Sequence, residues 1–414
     1  MAEEKAKKKY QYHRATETYN GKRYEAKGRT MREAEKKLAS KLADVQIHGD
    51  IKGGGMTVSK WAEEWLLTYV KPKVREPGKK KVRGTMSEAA YKQRKGIVDN
   101  YIIPAIGNTK LRDVTPTMLQ NVINNDPRQS FSHVQKVQLA LKHMFKQAWL
   151  DRKIPFDPSA NLILPATEKG VGRGMTAQEK EYFFKAAAIN GHGLLFRFLL
   201  ATGIRPNELM PLTVQDINLD ERTVHIHNAV EAGTNVVGTP KTNAGIRYTI
   251  INTATDKEII HDLRNHLSGK DGSALAFTKR DGGMISRKTM NDYWLSVVYD
   301  MDILMGAEHT PKGHIYDPSD LKADGTPLYP DPNDPTKPRN GHKVAPDLVT
   351  YCLRHTFGTD MQRAGIPINI TKYMMGHTDI STTANIYIDS GKEDALQAIK
   401  LINSPVENSV ANSR

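Results

Sequence analysis

Three short segments in the second half of the chain carry side chains that can bind and attack a phosphate ester. They are ATGIRPNELMPL, TYCLRHTFGTDM and KYMMGHTDISTTANIY. Arginine offers phosphate a planar fork of donors and stays charged, and a tyrosine hydroxyl can act as a nucleophile. Each residue also has a purely structural explanation, such as an ion pair, a helix cap or a buried ring. The candidates are Arg205, Glu208, Arg354, His355, His377 and Tyr387.

Signals for metal-dependent or nucleotide-dependent chemistry are weak in this sequence. It has no glycine-rich phosphate loop followed by Lys-Ser or Lys-Thr, no paired Cys-x-x-Cys and no His-Glu-x-x-His. The segment HIH at 225–227 is interpreted as the alternation of a strand rather than as a pair of metal ligands. The sequence therefore predicts neither a metal nor another cofactor.

The composition favours a polyanionic partner. In the 414 residues, 60 Lys and Arg exceed 46 Asp and Glu by 14, which gives a pI near 9.5. No convincing basic amphipathic helix is found, so nucleic acid is favoured over a membrane surface. No apolar run is long enough to span a bilayer, and the start MAEEKAKKKYQYH is not a secretory signal. With a single cysteine, Cys352, the chain is expected to work in a reducing cytoplasm.

The N-terminal segment has the pattern of a small sheet backed by one helix. Residues 10–29 alternate around Asn20-Gly21, a dipeptide typical of a two-residue hairpin turn. A helix is predicted from Thr30, with Glu33 completing a capping box, and should end near residue 49. The basic residues of this segment form either a solvated face or a ribbon that enters a DNA groove. They are Arg14, Lys22, Arg23, Lys27 and Arg29.

Residues 57–161 have helical periodicity, after the flexible connector IKGGGMTV. A basic loop, KPKVREPGKKKVRGT, separates the first two predicted helices. Phosphates would order this loop if DNA is the partner. Its DNA-binding candidates are Lys79, Lys80, Lys81 and Arg83.

The largest predicted region runs from about residue 175 to 403 and combines helices with a few strands. A second capping box, Thr176 with Glu179, opens its first helix, and the segments RTVHIHNAV and GIRYTIIN are predicted to pair as a hairpin. Residues 306–346 are rich in Pro, Asp and Gly and lack periodicity, so they are either functional or disordered. We hypothesise that they form an insertion at the edge of this region, next to DNA or another subunit.

These features resemble the tyrosine recombinase (phage integrase) family over essentially the whole chain. The blocks TGIRPNEL, LRHTFGT and MGH with a tyrosine after nine further residues match its catalytic boxes, and IIPAIGNTKLRDVTPTMLQ looks like part of its core-binding domain. The resemblance implies a multidomain α+β protein. Its expected parts are a small β-sheet plus helix domain for arm-type DNA sites (1–52), an all-α, SAM-like core-binding domain (57–165), a mixed, mainly α catalytic domain with a small antiparallel sheet (172–403) and a flexible tail (404–414).

The resemblance also implies a role for each catalytic candidate. Tyr387 would attack a DNA phosphodiester, while Arg205 and Arg354 would clamp its oxygens and stabilise the charge that builds up. His377 would donate to a nonbridging oxygen. Lys241, in GTPKTNAG between the two predicted strands, would protonate the leaving 5′ oxygen. Because a phosphotyrosine link keeps the energy of the broken phosphodiester, the strands could be rejoined without ATP or metal.

One position departs from the family pattern. The family usually has a histidine three residues before the second arginine, where this sequence has Tyr351. A phenol is a poor base at neutral pH, so Tyr351 is expected to hydrogen-bond a phosphate oxygen or the attacking hydroxyl. His355 is poorly suited to replace the missing base because neighbouring helical residues face different directions. Glu208 is expected to orient Arg205.

The leading hypothesis is a site-specific recombinase that integrates and excises a phage or a conjugative transposon. The resemblance implies a tetramer on two double-stranded DNA duplexes, helped by an excisionase and a host DNA-bending protein, in the nucleoid of a bacterial cell. The segment KEDALQAIKLINS either docks on a neighbouring subunit or packs on its own domain. Two alternatives remain. A type IB topoisomerase would not need the N-terminal module, and Tyr351 is the only hint of a DNA-binding regulator that has lost catalysis.

Overall fold

Two compact units make up the chain. In the computed structural model, the residues described are 12–48, 55–79, 82–125, 130–166, 172–240 and 243–377. The first unit is built from Met1–Val74 and Gly84–Gly170, and the second from Arg75–Arg83 and Val171–Arg414. Helices dominate both units, and the strands form small antiparallel sheets, which confirms the predicted α+β class. Within the described ranges, no helix is both long and apolar enough to cross a membrane.

The N-terminal module is a hairpin packed against one helix. Strand β1 (His13–Tyr19) pairs antiparallel with β2 (Lys22–Gly28) through Asn20 and Gly21, which both have positive φ. Positive φ at both turn residues is the signature of a type I′ turn, so the predicted hairpin is confirmed. Helix α1 (Met31–His48) covers one face of the hairpin. The small core consists of Ala15, Tyr24, Ala34, Leu38 and Leu42.

The capping box predicted at the start of α1 is only half formed. The Thr30 hydroxyl accepts the backbone N–H of Glu33 at 3.2 Å, as predicted. The Glu33 carboxylate instead accepts the N–H of Arg29 at 2.7 Å, one residue earlier than the prediction. The chain can turn this tightly because Gly28 has no side chain, and a Cβ there would lie 2.5 Å from the backbone nitrogen of Ala34. The carboxylate therefore ties the end of the hairpin to the helix.

The rest of the first unit is helical, as predicted. The hydroxyls of Thr57, Ser87, Thr115 and Ser130 each cap the helix that follows. Apolar side chains at helical spacing form one core, in which buried Trp61 donates its ring N–H to the carbonyl of Met144. The helices are α2 (Val58–Trp65, continued by a π-turn at Leu66–Val70 and a 3₁₀ turn at Lys71–Lys73), α3 (Glu88–Ile97, continued by a π-turn at Val98–Ile102), α4 (Ile103–Ile106), α5 (Pro116–Asn124) and α6 (Phe131–Leu150), with a 3₁₀ turn at Leu111–Asp113.

Helices also supply most of the core of the second unit. The capping box of Thr176 and Glu179 is complete and confirms the predicted start of this region's first helix. Apolar faces of the helices bury one large cluster, and a smaller one forms around Phe357 and Met375. The helices are α7 (Ala177–Ile189), α8 (Gly193–Thr202), α9 (Pro206–Leu209), α10 (Ile259–Leu267), α11 (Arg287–Leu304), α12 (Thr350–Arg363) and α13 (Ile368–Met375).

The strands of the second unit form two small antiparallel sheets. One has the order β3-β4-β7, and the other pairs β5 with β6. Pairing of Thr223 with Ile250 and of Ile226 with Arg247 confirms that the two predicted strand segments meet. The first segment breaks after Ile226, however, and its remainder enters the separate β5–β6 pair. The strands are β3 (Ile217–Asn218), β4 (Thr223–Ile226), β5 (Ala229–Val230), β6 (Val237–Gly238) and β7 (Arg247–Ile250), with 3₁₀ turns at Val214–Asp216 and Asn243–Gly245.

Residues 306–346 form a succession of tight turns. Isolated bridges join His309 to Ile315, Leu321 to Pro327 and Pro330 to Pro338. Within several turns an aspartate carboxylate accepts the backbone N–H two residues further on. The lack of periodicity in this segment therefore reflects local turns closed by short polar side chains.

Candidate active site

Two arginines bind one buried glutamate in the second unit, and the charge of a third arginine acts on the same carboxylate. Helix α8 ends at Gly203, whose φ of +63° reverses the chain and places Arg205 at the N-cap of α9. Glu208 lies one turn later on α9. Arg247 comes from β7 and Arg354 from α12. Two helix junctions and a strand must therefore pack together before this cluster can exist.

Glu208 organises the cluster. Its carboxylate is only 3% exposed and accepts the backbone N–H and Nη1 of Arg205 at 2.9 and 2.8 Å. It also accepts both terminal nitrogens of Arg247, at 3.1 and 2.9 Å. Burial opposes ionisation, but Arg247, Arg205 and Arg354 outweigh it and lower the pKa of Glu208 to about 2. The predicted pair of Arg205 and Glu208 is thus present, with Glu208 ionised at neutral pH.

Arg247 is the residue of this cluster that sequence reasoning missed. It is 2% exposed and shares the inward face of β7 with Thr249, which is 1% exposed. Besides Glu208, it donates to the carbonyls of Gly245 and Met374. A charge at an inward-facing strand position requires a buried partner, and this was the signal available in GIRYTIIN. The identity of that partner depends on tertiary structure.

The C-terminal end of α13 receives one hydrogen bond from each arginine. The last carbonyls of a helix have no partner within it and carry the negative end of its dipole, so cations are favoured there. Three consecutive carbonyls are used in this way, and they immediately precede His377. The pairs are Arg247 with Met374, Arg354 with Met375 and Arg205 with Gly376.

Gly376 makes this junction possible. It adopts a φ of +64°, and a Cβ would lie 2.9 Å from both the Ala244 carbonyl oxygen and the Arg247 guanidinium carbon. We expect Gly376→Ala to destabilise the second unit by about 2–4 kcal/mol, because left-handed strain adds to the clash. Urea-dependent hydrogen exchange of the α12 and β7 peptides would measure this loss.

Gly365 provides the matched control for Gly376. Its φ is +74°, yet a Cβ there would meet nothing within 4 Å. Gly365→Ala should therefore cost only the backbone strain, about 1–2 kcal/mol. Equal losses in the two variants would show that the contact with Arg247 is unimportant.

His377 follows α13 and lies against Arg354. It is 8% exposed, and its Nε2 is 2.8 Å from Nη2 of Arg354. Because arginine can only donate, Nε2 is the acceptor and the ring proton is on Nδ1. Burial and the charges of Arg354, Arg205 and Arg247 lower the pKa of His377 to about 3, so the ring is neutral at physiological pH.

This low pKa makes the stability of the unit pH-dependent. In the unfolded chain, a histidine binds a proton below a pH of about 6.5, whereas folded His377 stays neutral until about pH 3. Between these values the unfolded state binds more protons, so stability falls as the pH falls. Between about pH 7.5 and about pH 5, wild type should lose about 2 kcal/mol more than His377→Gln, as measured by urea denaturation. If the free energy of unfolding changed with pH in the same way in wild type and His377→Gln, this expectation would be contradicted.

Arg354 is the most deeply buried cation of the site. It is 2% exposed, and its Nη1 donates to the carbonyl of Gly203, at the end of α8. Burial and the charge of Arg205 lower the pKa of Arg354 to about 9, which still leaves it charged at neutral pH. Its Nε is buried without a hydrogen-bond partner among the described residues. Leaving a donor of a charged group buried and unpaired costs free energy, and a ligand oxygen could reach this Nε only after the groups that cover it had moved.

Tyr351 and His355 lie one turn apart on α12. Tyr351 is 43% exposed, and its ring centroid is 5.7 Å from that of His355. Burial lowers the pKa of Arg205, but the charge of Glu208 and hydrogen bonds with Glu208 and Tyr351 raise it overall. Nε2 of His355 instead faces Gly172, where a Cβ would approach within 2.6 Å. Tyr351 therefore belongs to the arginine site, and His355 packs beneath the connector that precedes α7.

Tyr387, Lys241, Lys80 and Lys81 lie outside the described residues. Lys241 falls between β6 and the 3₁₀ turn at Asn243–Gly245. The catalytic roles of Tyr387 and Lys241 therefore remain predictions.

The predicted DNA-binding residues that are described all lie on exposed surface. Arg14 and Lys27 are cross-strand neighbours, and Arg23 pairs with Thr18 on the same face of the hairpin, opposite the buried Ala15 and Tyr24. The other exposed residues are Lys22, Arg29, Lys79 and Arg83.

Lys79 follows a segment that is anchored within the second unit. Arg75 donates to the Glu231 carboxylate at 2.6 Å, and the N–H of Gly78 donates to the other oxygen at 3.0 Å. Glu231 directly follows β5, so residues 75–79 are fastened to the β5–β6 pair. This contact fixes the position of the backbone immediately before Lys79.

The geometry defines a class of site. The charge of Glu208 balances that of Arg247, so the charges of Arg205 and Arg354 give the cluster a net positive charge. Arg354 also has a buried Nε without a partner among the described residues. The Arg205 side chain is 31% exposed, which leaves it accessible to a ligand. Such an arrangement binds a phosphate group and stabilises additional charge on it. The site therefore has the charge and the accessible arginine that phosphoryl transfer requires.

Comparison with known proteins gives the family. A profile of the phage integrase family matches residues 173–314 and 337–394, and a profile of the phage integrase N-terminal SAM-like domain matches residues 79–125. The chain belongs to the phage integrase family, the tyrosine recombinases. The unmatched residues 315–336 lie inside the turn-rich segment.

Relatives align along most of the chain. A tyrosine recombinase XerC-like protein of Caldanaerobacter subterraneus subsp. tengcongensis is 23% identical over 419 residues, which covers 95% of this chain and 96% of the relative. The transposase of transposon Tn916 from Enterococcus faecalis is 24% identical over 384 residues, with coverages of 88% and 83%.

Solved structures share the fold. The Tn1549 transposon integrase, in complex with a circular intermediate DNA, has a TM-score of 0.60 at 17% identity and covers 84% of this chain and 100% of its own. A lambda integrase dimer bound to a core site has a TM-score of 0.53 at 14% identity, with coverages of 92% and 93%.

Proposed function

We propose that the protein is a site-specific DNA recombinase that integrates and excises a mobile element through a 3′-phosphotyrosine intermediate. The observation that carries this proposal is the cluster of Arg205, Arg354 and His377 around the end of α13, ten residues before Tyr387. The transposon relatives favour a conjugative transposon over a phage.

The arginine site supports an in-line phosphoryl transfer. The hydroxyl of Tyr387 forms a bond to the scissile phosphorus, and the bond from phosphorus to the 5′ oxygen breaks. Arg205 and Arg354 donate to the nonbridging oxygens, where charge increases in the transition state. Nδ1–H of neutral His377 supplies a further donor. Lys241 gives its proton to the leaving 5′ oxygen, and a 5′ hydroxyl of the partner strand later reverses these steps.

Tyr351 stands three residues before Arg354, where the family pattern has a histidine that could accept the nucleophile's proton. In this chain, its interaction with Arg205 makes it a positioning residue for the phosphate, and a water molecule or the phosphate accepts the proton. Tyr351→His is therefore expected to retain activity.

Double-stranded DNA is the proposed partner. The net charge of +14 and the exposed basic face of the hairpin support it. A lambda integrase tetramer has been seen on a Holliday junction, and we extend that assembly state to this protein. Assistance by an excisionase and a host DNA-bending protein, and residence in the bacterial nucleoid, complete the proposal.

Arg354→Lys tests the proposal directly. Lysine keeps the charge but cannot reproduce the guanidinium hydrogen bonds to the carbonyls of Gly203 and Met375 and to the ring of His377. We expect cleavage of nicked element-end duplexes to fall by about 10²–10³-fold while DNA affinity changes little. Denaturing gels would measure cleavage and gel shifts would measure binding.

Arg363→Lys, an exposed change on the same helix, is the matched control. It should leave both cleavage and binding near the wild-type values. Equal losses of binding and cleavage in Arg354→Lys would contradict the proposed catalytic role.

A further inference from the structure

A second polar cluster lies in the second unit, outside the arginine site. Asp216 ends the 3₁₀ turn before β3, His225 lies on β4, and His227 follows this strand. One ligand atom from each side chain lies within 4.8 Å of the other two. The alternation of β4 buries Val224 and Ile226, so both histidines lie on its opposite face, next to Asp216.

The spacing of these atoms suits a small transition-metal ion. Oδ1 of Asp216 lies 3.3 Å from Nε2 of His227. Zinc bonds of about 2.0–2.1 Å in tetrahedral geometry put neighbouring ligand atoms about 3.3 Å apart. The remaining separations lie within 4.8 Å, so metal binding would draw the ligand atoms closer together. Two imidazoles and one carboxylate are also ligands that zinc prefers.

Neighbouring groups already orient two of the three side chains. The other oxygen of Asp216 accepts the N–H and the hydroxyl of Thr213 at 2.9 and 2.7 Å, which leaves Oδ1 directed to the histidines. The His225 ring stacks on Tyr248 with a centroid distance of 4.5 Å and an interplanar angle of 16°. Support of this kind fixes ligand geometry in metal sites. Asp216 is 7% exposed and the His227 side chain 37% exposed, so an ion can enter from the solvent side.

We propose that Asp216, His225 and His227 bind a Zn²⁺ ion that stabilises this part of the fold, with a water molecule in the open fourth position. The ion joins the turn before β3 to β4. His225 is paired with Tyr248 and Ile226 with Arg247 in the neighbouring strand. Zinc therefore stabilises the sheet that presents Arg247 to the arginine site, without taking part in the transfer reaction.

Metal titration of untagged, EDTA-treated full-length protein tests this inference. With Co²⁺ as a spectroscopic probe, we expect one equivalent to give the visible bands of a tetrahedral site and Zn²⁺ to displace it. Saturating Zn²⁺ should raise the melting temperature of the second unit by about 5 °C or more. An absence of stoichiometric Co²⁺ binding would overturn the inference and leave only the 3.3 Å contact between Asp216 and His227.

Variants locate the site. His225→Gln and His227→Gln should each weaken Co²⁺ binding by at least about tenfold and remove the thermal shift. His261→Gln, a histidine outside the cluster on α10, should leave both unchanged. Asp216→Asn should behave like the histidine variants, but Asp216 also caps its turn, so the two histidine variants carry the test. If both His225→Gln and His227→Gln bound Co²⁺ with wild-type affinity, the inference would be overturned.

Discussion

Replacing Tyr387 with phenylalanine is expected to abolish covalent capture of DNA while leaving DNA binding close to that of wild type. The substitution removes the attacking oxygen and nothing else, so the loss of cleavage should be at least about 10⁴-fold. The arginine cluster, which we propose supplies the phosphate contacts, does not depend on this hydroxyl among its described hydrogen bonds. Incubation with nicked element-end duplexes, followed by denaturation, would reveal the protein–DNA adduct.

Tyr182→Phe is the matched control, because it removes a tyrosine hydroxyl from helix α7 of the same unit. It should form the adduct at the wild-type rate. An adduct that persists in Tyr387→Phe would assign the nucleophile to another residue. Tight binding without an adduct in wild type would point to a DNA-binding regulator.

The second large effect is expected from Arg247→Met. Methionine fills much of the same volume but leaves the Glu208 carboxylate, which is 3% exposed, without two of its hydrogen bonds. Breaking a buried ion pair in this way costs about 3–5 kcal/mol. The carbonyls of Gly245 and Met374 also lose their donor. Urea-dependent hydrogen exchange of the α12 peptide would report the loss, and DNA cleavage should disappear with it.

Arg264→Met is the control for Arg247→Met. Arg264 pairs with Asp220 at 2.9 Å, but the two side chains are 61% and 85% exposed. Exposed pairs contribute about 0–1 kcal/mol, so this variant should be nearly as stable as wild type. The double variant Glu208→Leu with Arg247→Met should lose less stability than the sum of its single changes, because both partners of the buried pair are removed together, although Arg205 still loses its contact with Glu208. Similar losses in Arg247→Met and Arg264→Met would contradict the buried-pair explanation.

Local signals in the sequence determined the elements of this protein. The Asn20-Gly21 turn and the capping box of Thr176 with Glu179 each involve residues within a few positions of one another, and the structure confirms both. The ordered arginine, histidine and tyrosine blocks likewise identified the family before any contact was known. Side-chain chemistry and spacing along the chain were enough for these conclusions.

Only the tertiary structure decided which residues complete the site. Arg247 pairs with Glu208 across 39 residues, and Arg205 reaches the carbonyl of Gly376 across 171 residues. Likewise, Asp216 reaches His227 only because the turn before β3 folds against β4. Contacts of this kind depend on how helices and strands pack, which no local pattern encodes. The sequence therefore determined the family and its candidate residues, while packing decided that the end of α13 and Glu208, with its partner Arg247, hold Arg205 in place and that the end of α13 also holds Arg354.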